Sequence, residues 1–419
     1  MPYTKSEELA VPTATSRKYV LAVFLEGRPE DGGAYRHKQN LLKAYARLQS
    51  SGIRIVVVCD SIETLAEVEK HSLEGTICRV SVLGKAWRFI ASQELIRRAF
   101  GKAISRMPFG VDSLLSKLQA SLAVFYAGDS RALEVIAHSF VIQFWDACHV
   151  EHPEFPEVAY YGEFERREYF NRNALPRATA IVADSAHTAS LISTRYGVSA
   201  SRIFVAPFLI EQTYRQFSVD HEKARKVAEH YKIRQPYLFY PAQFWRHKNH
   251  AYILRALKKL CSEGRVVPQA VFCGSDQGAL QDVLEASTAM GVREHVNYCG
   301  FVPEEDLPYL YKGALALVMP TYFGPSNIPP LEALALGVPV CYSDLPAFRE
   351  QFGTRVRYLN LEDPASLAEH LSALINGTDI EAGATPIAAD GPSDINIHVA
   401  VMERVIRDHA DKVTLTSFD

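Results

Sequence analysis

A two-domain α/β protein built on parallel sheets is what this sequence predicts, and three observations carry the prediction. The chain has 419 residues, more than one hydrophobic core usually serves, so two domains are expected. Short apolar runs alternate with segments of helical period along almost its whole length. That is the pattern of right-handed βαβ crossovers in a parallel sheet covered on both faces. The alternation lapses between 208 and 235 and then resumes, as a hinge between two facing, doubly wound units requires.

In the first series, residues 19–26 (YVLAVFLE) and 53–59 (IRIVVVC) read as buried strands, with the helical stretch HKQNLLKAYARLQSSG between them. VIQFWD (141–146), ATAIVAD (178–184) and RIFVA (202–206) continue it, and a helix led by Ser185 separates the last two. The second series runs PYLFYPA, QAVFCG, VNYCG, ALALVMP and VPVCYS, again with helices between. Residues 377–394 form a loop by their Gly, Pro and Asp content, and 395–412 read as a last helix. The expected division is a first domain over 1–210 and a second over 211–394, with the terminal segment 395–419 returning to the first.

Composition narrows the function classes. A net charge of −3 gives no overall attraction for nucleic acid, so any anion site must be local. The seven cysteines are scattered, odd in number and form no CxxC pair, which argues against a disulfide framework and a zinc site. The opening MPYTKSEELAVPTATSRK lacks the apolar core of a signal peptide. No run approaches the roughly 20 apolar residues of a spanning helix. The expectation is a cytoplasmic protein, or one held peripherally at the inner face of a membrane. There is no G-x-x-x-x-G-K-[ST], G-x-G-x-x-G, D-x-D or G-x-S-x-G motif, which disfavours P-loop ATPases, nicotinamide dehydrogenases, metal-dependent sugar transferases and serine hydrolases.

In doubly wound sheets ligands sit at the carboxyl ends of the strands, so the loops there carry the chemistry. The strand ALALVMP is followed by TYFGPSNIPPLEALALGVPV (321–340). Pro329 and Pro330 suit a first helical turn because they have no N–H to leave unpaired. The N–H groups of Ser326, Asn327 and Ile328 then lie at the positive end of that helix, a ready anion site, with Glu332 as its one acid. By spacing alone Asn327 reads equally well as a plain N-cap and Glu332 as a complement to the helix dipole. The strand PYLFYPA is followed by QFWRHKNHAYILRALKKL, where Arg246 and Lys248 stand at the strand–helix junction within reach of a phosphate. A solvated surface charge is the commoner fate of such a lysine. In the first domain, Gly32 and Gly33 of GRPEDGGAYRH permit close backbone approach. His149 and His152 lie in WDACHVEHPEFPE, directly after a strand.

These stretches resemble the retaining glycosyltransferases of family 4, within the group 1 glycosyltransferases. Those enzymes have the GT-B fold: two facing Rossmann-like domains with the donor site in the cleft. The resemblance covers nearly the whole chain and is densest over 237–350, in YPAQFWRHKNH and in FGPSNIPPLEALALGVPV, which matches the family's E-x(7)-E region. It implies that Lys248 binds the donor diphosphate and that Glu332 accepts hydrogen bonds from the nucleotide ribose. It places Gly33 near the donor phosphate and acceptor. The D-x-x-H…PEF pattern makes His149 the histidine that reaches the reacting sugar, with His152 in reserve. The implied catalytic residues are His149 and Lys248. The implied donor-binding set is Gly33, Gln243, Arg246, Lys248, Gly324, Ser326, Asn327, Ile328 and Glu332.

Two positions depart from the family pattern. The first acid of E-x(7)-E falls on Gly324, and the arginine usual five residues before the lysine falls on Gln243. Arg246 or His247 would have to supply the second positive charge. The implied activity is metal-independent, retaining transfer of a hexose from a nucleotide diphosphate sugar such as GDP-mannose, a UDP-sugar or a dTDP-sugar. The acceptor would be a glycan or lipid-linked sugar, in bacterial surface polysaccharide synthesis, with no cofactor and no nucleic-acid partner. Mannose or a 6-deoxyhexose is expected because Gly324 removes the usual acid. A nucleotide-sugar epimerase of the same fold and a non-catalytic nucleotide-sugar binding protein are the alternatives. In 85–106, Phe89, Ile96, Phe100 and Ile104 fall near one helical face among Lys85, Arg88, Arg97, Arg98, Lys102 and Arg106. That pattern suits contact with an anionic membrane, or a packed helix with a solvated basic face.

Overall fold

The computed structural model describes residues 18–27, 33–77, 93–105, 110–210, 212–324, 328–378 and 395–416. They form two parallel sheets. The first contains β1 (Val20–Leu25), β2 (Arg54–Cys59), β3 (Glu74–Ile77), β4 (Leu122–Tyr126), β5 (Phe140–Phe144), β6 (Ala180–Ala183) and β7 (Ile203–Val205). Its order is β3-β2-β1-β4-β5-β6-β7. The second contains β8 (Tyr237–Pro241), β9 (Gln269–Cys273), β10 (Val296–Tyr298), β11 (Ala316–Met319), β12 (Val340–Ser343) and β13 (Arg357–Leu359), ordered β10-β9-β8-β11-β12-β13. In both, the chain builds outward on one side and then crosses to the other side of the starting strand. The strand order therefore reverses between β1 and β4, and between β8 and β11, and a crevice opens beyond the strand ends at each reversal.

The strands read as continuous apolar runs because helices cover both faces. Along β1, Leu21, Val23 and Leu25 enter one core while Ala22 and Phe24 enter the opposite one, and all six strand residues are buried. The pairing runs from Val20 opposite Arg54 to Leu25 opposite Cys59, so β1 and β2 end level and their loops emerge at one edge. Helix starts follow local chemistry. The Ser185 hydroxyl accepts from the Thr188 N–H at 3.2 Å and opens helix Ala186–Tyr196, which ends on Gly197 at φ +65°.

The apolar runs at 19–26, 53–59, 178–184 and 202–206, and all five of the second series, are strands within one or two residues of the expected limits. The run at 141–146 is displaced: β5 ends at Phe144, so Trp145 and Asp146 already belong to the loop. Three strands escape the sequence pattern. β3 (EGTI) and β13 (RYL) are short edge strands without an apolar run. β4 (LAVFY) is a central, wholly apolar strand that is not among the expected ones, although Val111, Leu114, Leu115 and Leu118 before it keep helical period.

Helix Ile395–Thr416 lies on helix Gly33–Leu48 of the first unit. Met402, Val405 and Ile406 join its core, and burial of each contributes about 1.5–3 kcal/mol. The Ser51 hydroxyl bonds Glu403 at 2.8 Å, Tyr19 Oη bonds His409 Nδ1 at 2.7 Å, and His398 Nε2 donates to the Pro207 carbonyl at 2.7 Å. No helix among the described residues is long and apolar enough to cross a membrane.

Candidate active site

The two loops singled out in the second half leave adjacent strands at the β8/β11 reversal. After β8 the chain makes a tight turn over Arg246–Lys248, passes through Asn249 at φ +54°, and enters helix His250–Ser262. This loop is pinned to its neighbour after β9. The Phe244 N–H donates to the Ser275 carbonyl at 3.0 Å, and a Cβ on Gly274 would stand 2.6 Å from the Ala242 carbonyl oxygen, an approach only glycine permits. Phe244 is fully buried and stacks on His250 with ring centres 4.3 Å apart.

The structure distributes the predicted donor-loop residues unequally. Gln243 is built into the scaffold: its amide donates to Ser275 Oγ at 3.1 Å and accepts from Trp245 Nε1 at 3.0 Å. Arg246 is exposed and pairs with Asp282 at 2.9 Å, so its charge is engaged on the second domain's own surface. His247 is buried, and burial followed by the neighbouring Lys248 lowers its pKa to about 4. It is therefore a neutral ring at pH 7. Lys248 sits where its charge feels Cys148, Asp146 and Glu157 of the first domain; burial outweighs them and lowers its pKa to about 8.

The second loop leaves β11 through Thr321, whose hydroxyl donates to the Phe323 carbonyl at 2.6 Å. Gly324 follows at φ +150°, a value that disfavours any side chain. Ser326 and Asn327 lie outside the described residues. Ile328 is buried and opens helix Ile328–Ala335, in which Glu332 is 1% exposed. The Tyr311 hydroxyl donates to Glu332 Oε2 at 2.6 Å, and Arg36 Nη2, from the first domain, donates to Oε1.

The motifs of the two halves meet. Glu157, at the end of PEFPE, accepts from the His247 backbone N–H at 2.9 Å, and its Oε1 lies 2.6 Å from the ring Nδ1. Burial alone would raise the Glu157 pKa, but these bonds to His247 hold it below the usual carboxylate range. Cys148, Val158 and Phe323 form a small apolar cluster with Phe155 and Tyr322 across the cleft. Phe323 is sandwiched by His247 (4.1 Å) and His152 (5.1 Å). A further contact, on the far side, joins Glu350 to the start of helix Ala186–Tyr196, where it accepts from the Ala186 and His187 N–H groups at 2.7 and 3.2 Å.

His149 lies differently from the cleft-facing position expected of it. It is 1% exposed, and its Nε2 is 3.1 Å from Glu168. Glu168 also accepts from Tyr196 at 2.7 Å and binds Arg195 and Arg172. Burial raises the Glu168 pKa less than these bonds lower it, to about 2. Burial lowers the pKa of His149, so in this arrangement it is a neutral ring held inside the first domain, with Nδ1 unpartnered. His152, partly exposed against Phe323, is the histidine of that stretch that touches the second domain. Gly33 opens helix Gly33–Leu48, and a Cβ built on it meets no atom within 4 Å.

Three residues of this junction, Arg36, Glu157 and Tyr311, are not among those expected from the sequence. Arg36 lies one turn beyond the Gly-Gly pair and Glu157 closes the PEFPE stretch, so both were inside quoted motifs. Tyr311 carried no signal, since a tyrosine in an apolar helix reads as core.

The group 1 glycosyl transferase family model matches residues 221–384. The O-antigen chain mannosyltransferase B of Escherichia coli is 28% identical over 216 residues, covering 50% of this chain and 56% of that protein. The chain thus spans about half the length of this curated relative. A glycosyltransferase from Rickettsia africae superposes with a TM-score of 0.67 at 14% identity, over 94% of this chain and 99% of its own. Anabaena HepE in complex with UDP and glucose gives a TM-score of 0.64 at 14% identity, over 95% and 100% of the two chains. At these identities the structural matches show the fold, which is GT-B.

Proposed function

We propose that this chain, whose residues 221–384 match the group 1 glycosyl transferase family model, is a glycosyltransferase that transfers a hexose from a nucleotide diphosphate sugar to a glycan or lipid-linked acceptor. One observation carries the reading. At the β8/β11 reversal, where a doubly wound sheet binds its ligand, the loop carrying Lys248 is bonded to the loop that leads into the Glu332 helix. The Tyr322 N–H donates to the His247 carbonyl at 2.9 Å, and the Thr321 hydroxyl lies 3.2 Å from the same oxygen. The related O-antigen mannosyltransferase supports a role in bacterial surface polysaccharide synthesis and a mannose-type donor such as GDP-mannose. The UDP complex of HepE keeps a UDP-sugar in view for the same fold.

In the proposed reaction the donor diphosphate lies against Lys248 and the N-terminus of helix Ile328–Ala335. Their positive charge stabilises the charge that grows on the leaving group. Glu332 holds the ribose. Transfer proceeds with retention by front-face displacement, the leaving phosphate helping to deprotonate the acceptor, with no metal and no enzymic nucleophile. Approach of the domains excludes water, the competing acceptor. His149 acts from behind, through its bond to Glu168, in fixing the 145–157 loop; His152 is the ring that borders the sugar. The test is release of free nucleotide from GDP-mannose, UDP-glucose or dTDP-rhamnose with and without an acceptor extract. Release that requires acceptor supports transfer. Interconversion of the sugar without acceptor would make the protein an epimerase, and binding without turnover over every acceptor would make it a binding protein.

Gly324 tests the register of the E-x(7)-E match. Its φ of +150° disfavours a side chain, at a cost on the order of 1–3 kcal/mol. Gly324→Ala and Gly324→Glu share that strain, but only glutamate adds an unmatched acid beside the donor. Gly324→Glu is expected to lose roughly tenfold or more beyond Gly324→Ala in kcat/KM with the native donor. Equal losses would place position 324 away from the sugar and shift the alignment.

Peripheral contact with the inner face of a membrane would suit a lipid-linked acceptor. Of the 85–106 stretch, residues 93–105 are described, and helix Glu94–Ser105 exposes Leu95 at 77% and Phe100 at 62%. Phe89 and the other residues of 85–92, with Arg106, lie outside the described residues. Salt-sensitive sedimentation with anionic liposomes is the expected behaviour, and absence of sedimentation at low salt would end the idea.

A further inference from the structure

Arg36 makes contacts that the donor site, as just described, leaves unused. It projects from helix Gly33–Leu48 of the first domain into the second. Its Nη2 donates to Glu332 Oε1 and to the Tyr214 hydroxyl, the latter at 3.2 Å, and its Nε lies 3.3 Å from the Glu304 carboxylate. Glu332 is 1% exposed, and Tyr311 already holds its other oxygen at 2.6 Å. Each carboxylate oxygen thus has one protein donor and keeps a lone pair, but the group is sealed from solvent. A ribose diol can reach Oε1 only if the partly exposed Arg36 side chain moves aside.

The guanidinium so displaced is a cation with five N–H donors, at the mouth of the donor crevice. A second observation says what it would meet. The donor loop turns no second cation beside Lys248: position 243 is glutamine, Arg246 points out to Asp282 on the surface at 2.9 Å, and His247 is tied to Glu157. A diphosphate carries at least two negative charges, and it lies one sugar carbon beyond the ribose ring that takes over Glu332.

We propose that Arg36 exchanges partners, holding Glu332 while the site is empty and binding the donor diphosphate once the ribose has taken Glu332. The missing cation of the second domain is thus provided by the first. The exchange makes domain contact depend on the ligand. Without donor, the Arg36–Glu332 pair joins the domains; with donor, the diphosphate bridges Arg36 and Lys248. A nucleoside without phosphates breaks the first link and offers nothing for the second. This inference rests on the reading of Glu332 as the ribose acceptor.

Calorimetric titration of the full chain with guanosine, GDP, uridine and UDP separates the two claims. The base that binds the wild type is used for the variants. Arg36→Gln is expected to bind the nucleoside at least as tightly as wild type, because the competitor for Glu332 is gone. It should bind the nucleoside diphosphate roughly ten- to a hundredfold more weakly, with a shallower dependence on salt. Arg36→Lys, which keeps the charge, is expected to retain an intermediate diphosphate affinity and guards against a variant that fails to fold. Equal changes for nucleoside and diphosphate, or tighter diphosphate binding in Arg36→Gln, would overturn the exchange and leave Arg36 as an interdomain tether. Nucleoside affinity unchanged in Glu332→Gln would instead refute the ribose reading itself.

Discussion

Glu332→Ala is expected to lower donor-dependent sugar transfer by roughly a hundredfold or more, since two hydroxyl bonds to a charged acceptor, each contributing about 1.5–3 kcal/mol, are lost together. The structural cost is expected to be smaller than that of most broken buried pairs, about 3–5 kcal/mol. Arg36 is 25% exposed and keeps Glu304 and Tyr214 as partners when the carboxylate goes. Tyr311 is the more exposed to damage, in the energetic sense, because its buried hydroxyl loses its acceptor. Glu332→Gln keeps an acceptor for Tyr311 and the side-chain volume while removing the charge. Its melting temperature should lie close to wild type and its activity between wild type and Glu332→Ala. Near-normal kcat/KM in the glutamine variant would remove Glu332 from the donor site.

The second large effect is expected at Lys248. Loss of one charge-assisted contact to the diphosphate costs about 1.5–3 kcal/mol, so Lys248→Ala should reduce activity roughly ten- to a hundredfold. The sign of the stability change separates this residue from a structural lysine. Its pKa falls from 10.5 unfolded to about 8 folded because burial penalises the charge. Between those values the unfolded chain binds more protons than the folded one, so stability rises with pH across that window. Below about 8 the folded protein carries the full penalty of a desolvated ammonium. Lys248→Met removes the charge and keeps the length, so the melting temperature at pH 7 should hold or rise while transfer collapses. Binding needs the protonated amine, so affinity for nucleoside diphosphate should decline above about pH 8 in wild type and show no such decline in Lys248→Met. A variant that loses stability and activity together, with the pH profile intact, would mark Lys248 as scaffold.

Much of this was legible in the letters. Ten apolar runs read as strands are strands, because a strand buried on both faces has to be apolar at nearly every position, and that pattern is local. The loops after ALALVMP and PYLFYPA were found by the same logic. A doubly wound sheet puts its ligand beyond the strand ends, so the polar residues that interrupt the pattern there stand out. Short edge strands escaped, since β3 and β13 owe their conformation to a neighbour's unpaired backbone and not to their own side chains.

What only the tertiary structure decided is how the charged and polar groups are paired, within each domain and across the cleft. Arg246 and His247 are adjacent in the chain and read as interchangeable candidates for the positive charge missing at Gln243. The fold sends Arg246 to Asp282, builds Gln243 into contacts with Ser275 and Trp245, and gives His247 to Glu157. His149 stood out as the histidine after a strand, yet Glu168, on a helix packed behind it, holds its ring inside the first domain. Arg36 is separated from Glu332 by 296 positions, and no periodicity or motif spacing links them. Burial and backbone direction are set by short stretches and can be read from them. Polar pairing depends on which side chains distant segments present to each other, within one domain for Arg246 and Asp282 and across the cleft for Arg36 and Glu332, and that is settled only by tertiary packing.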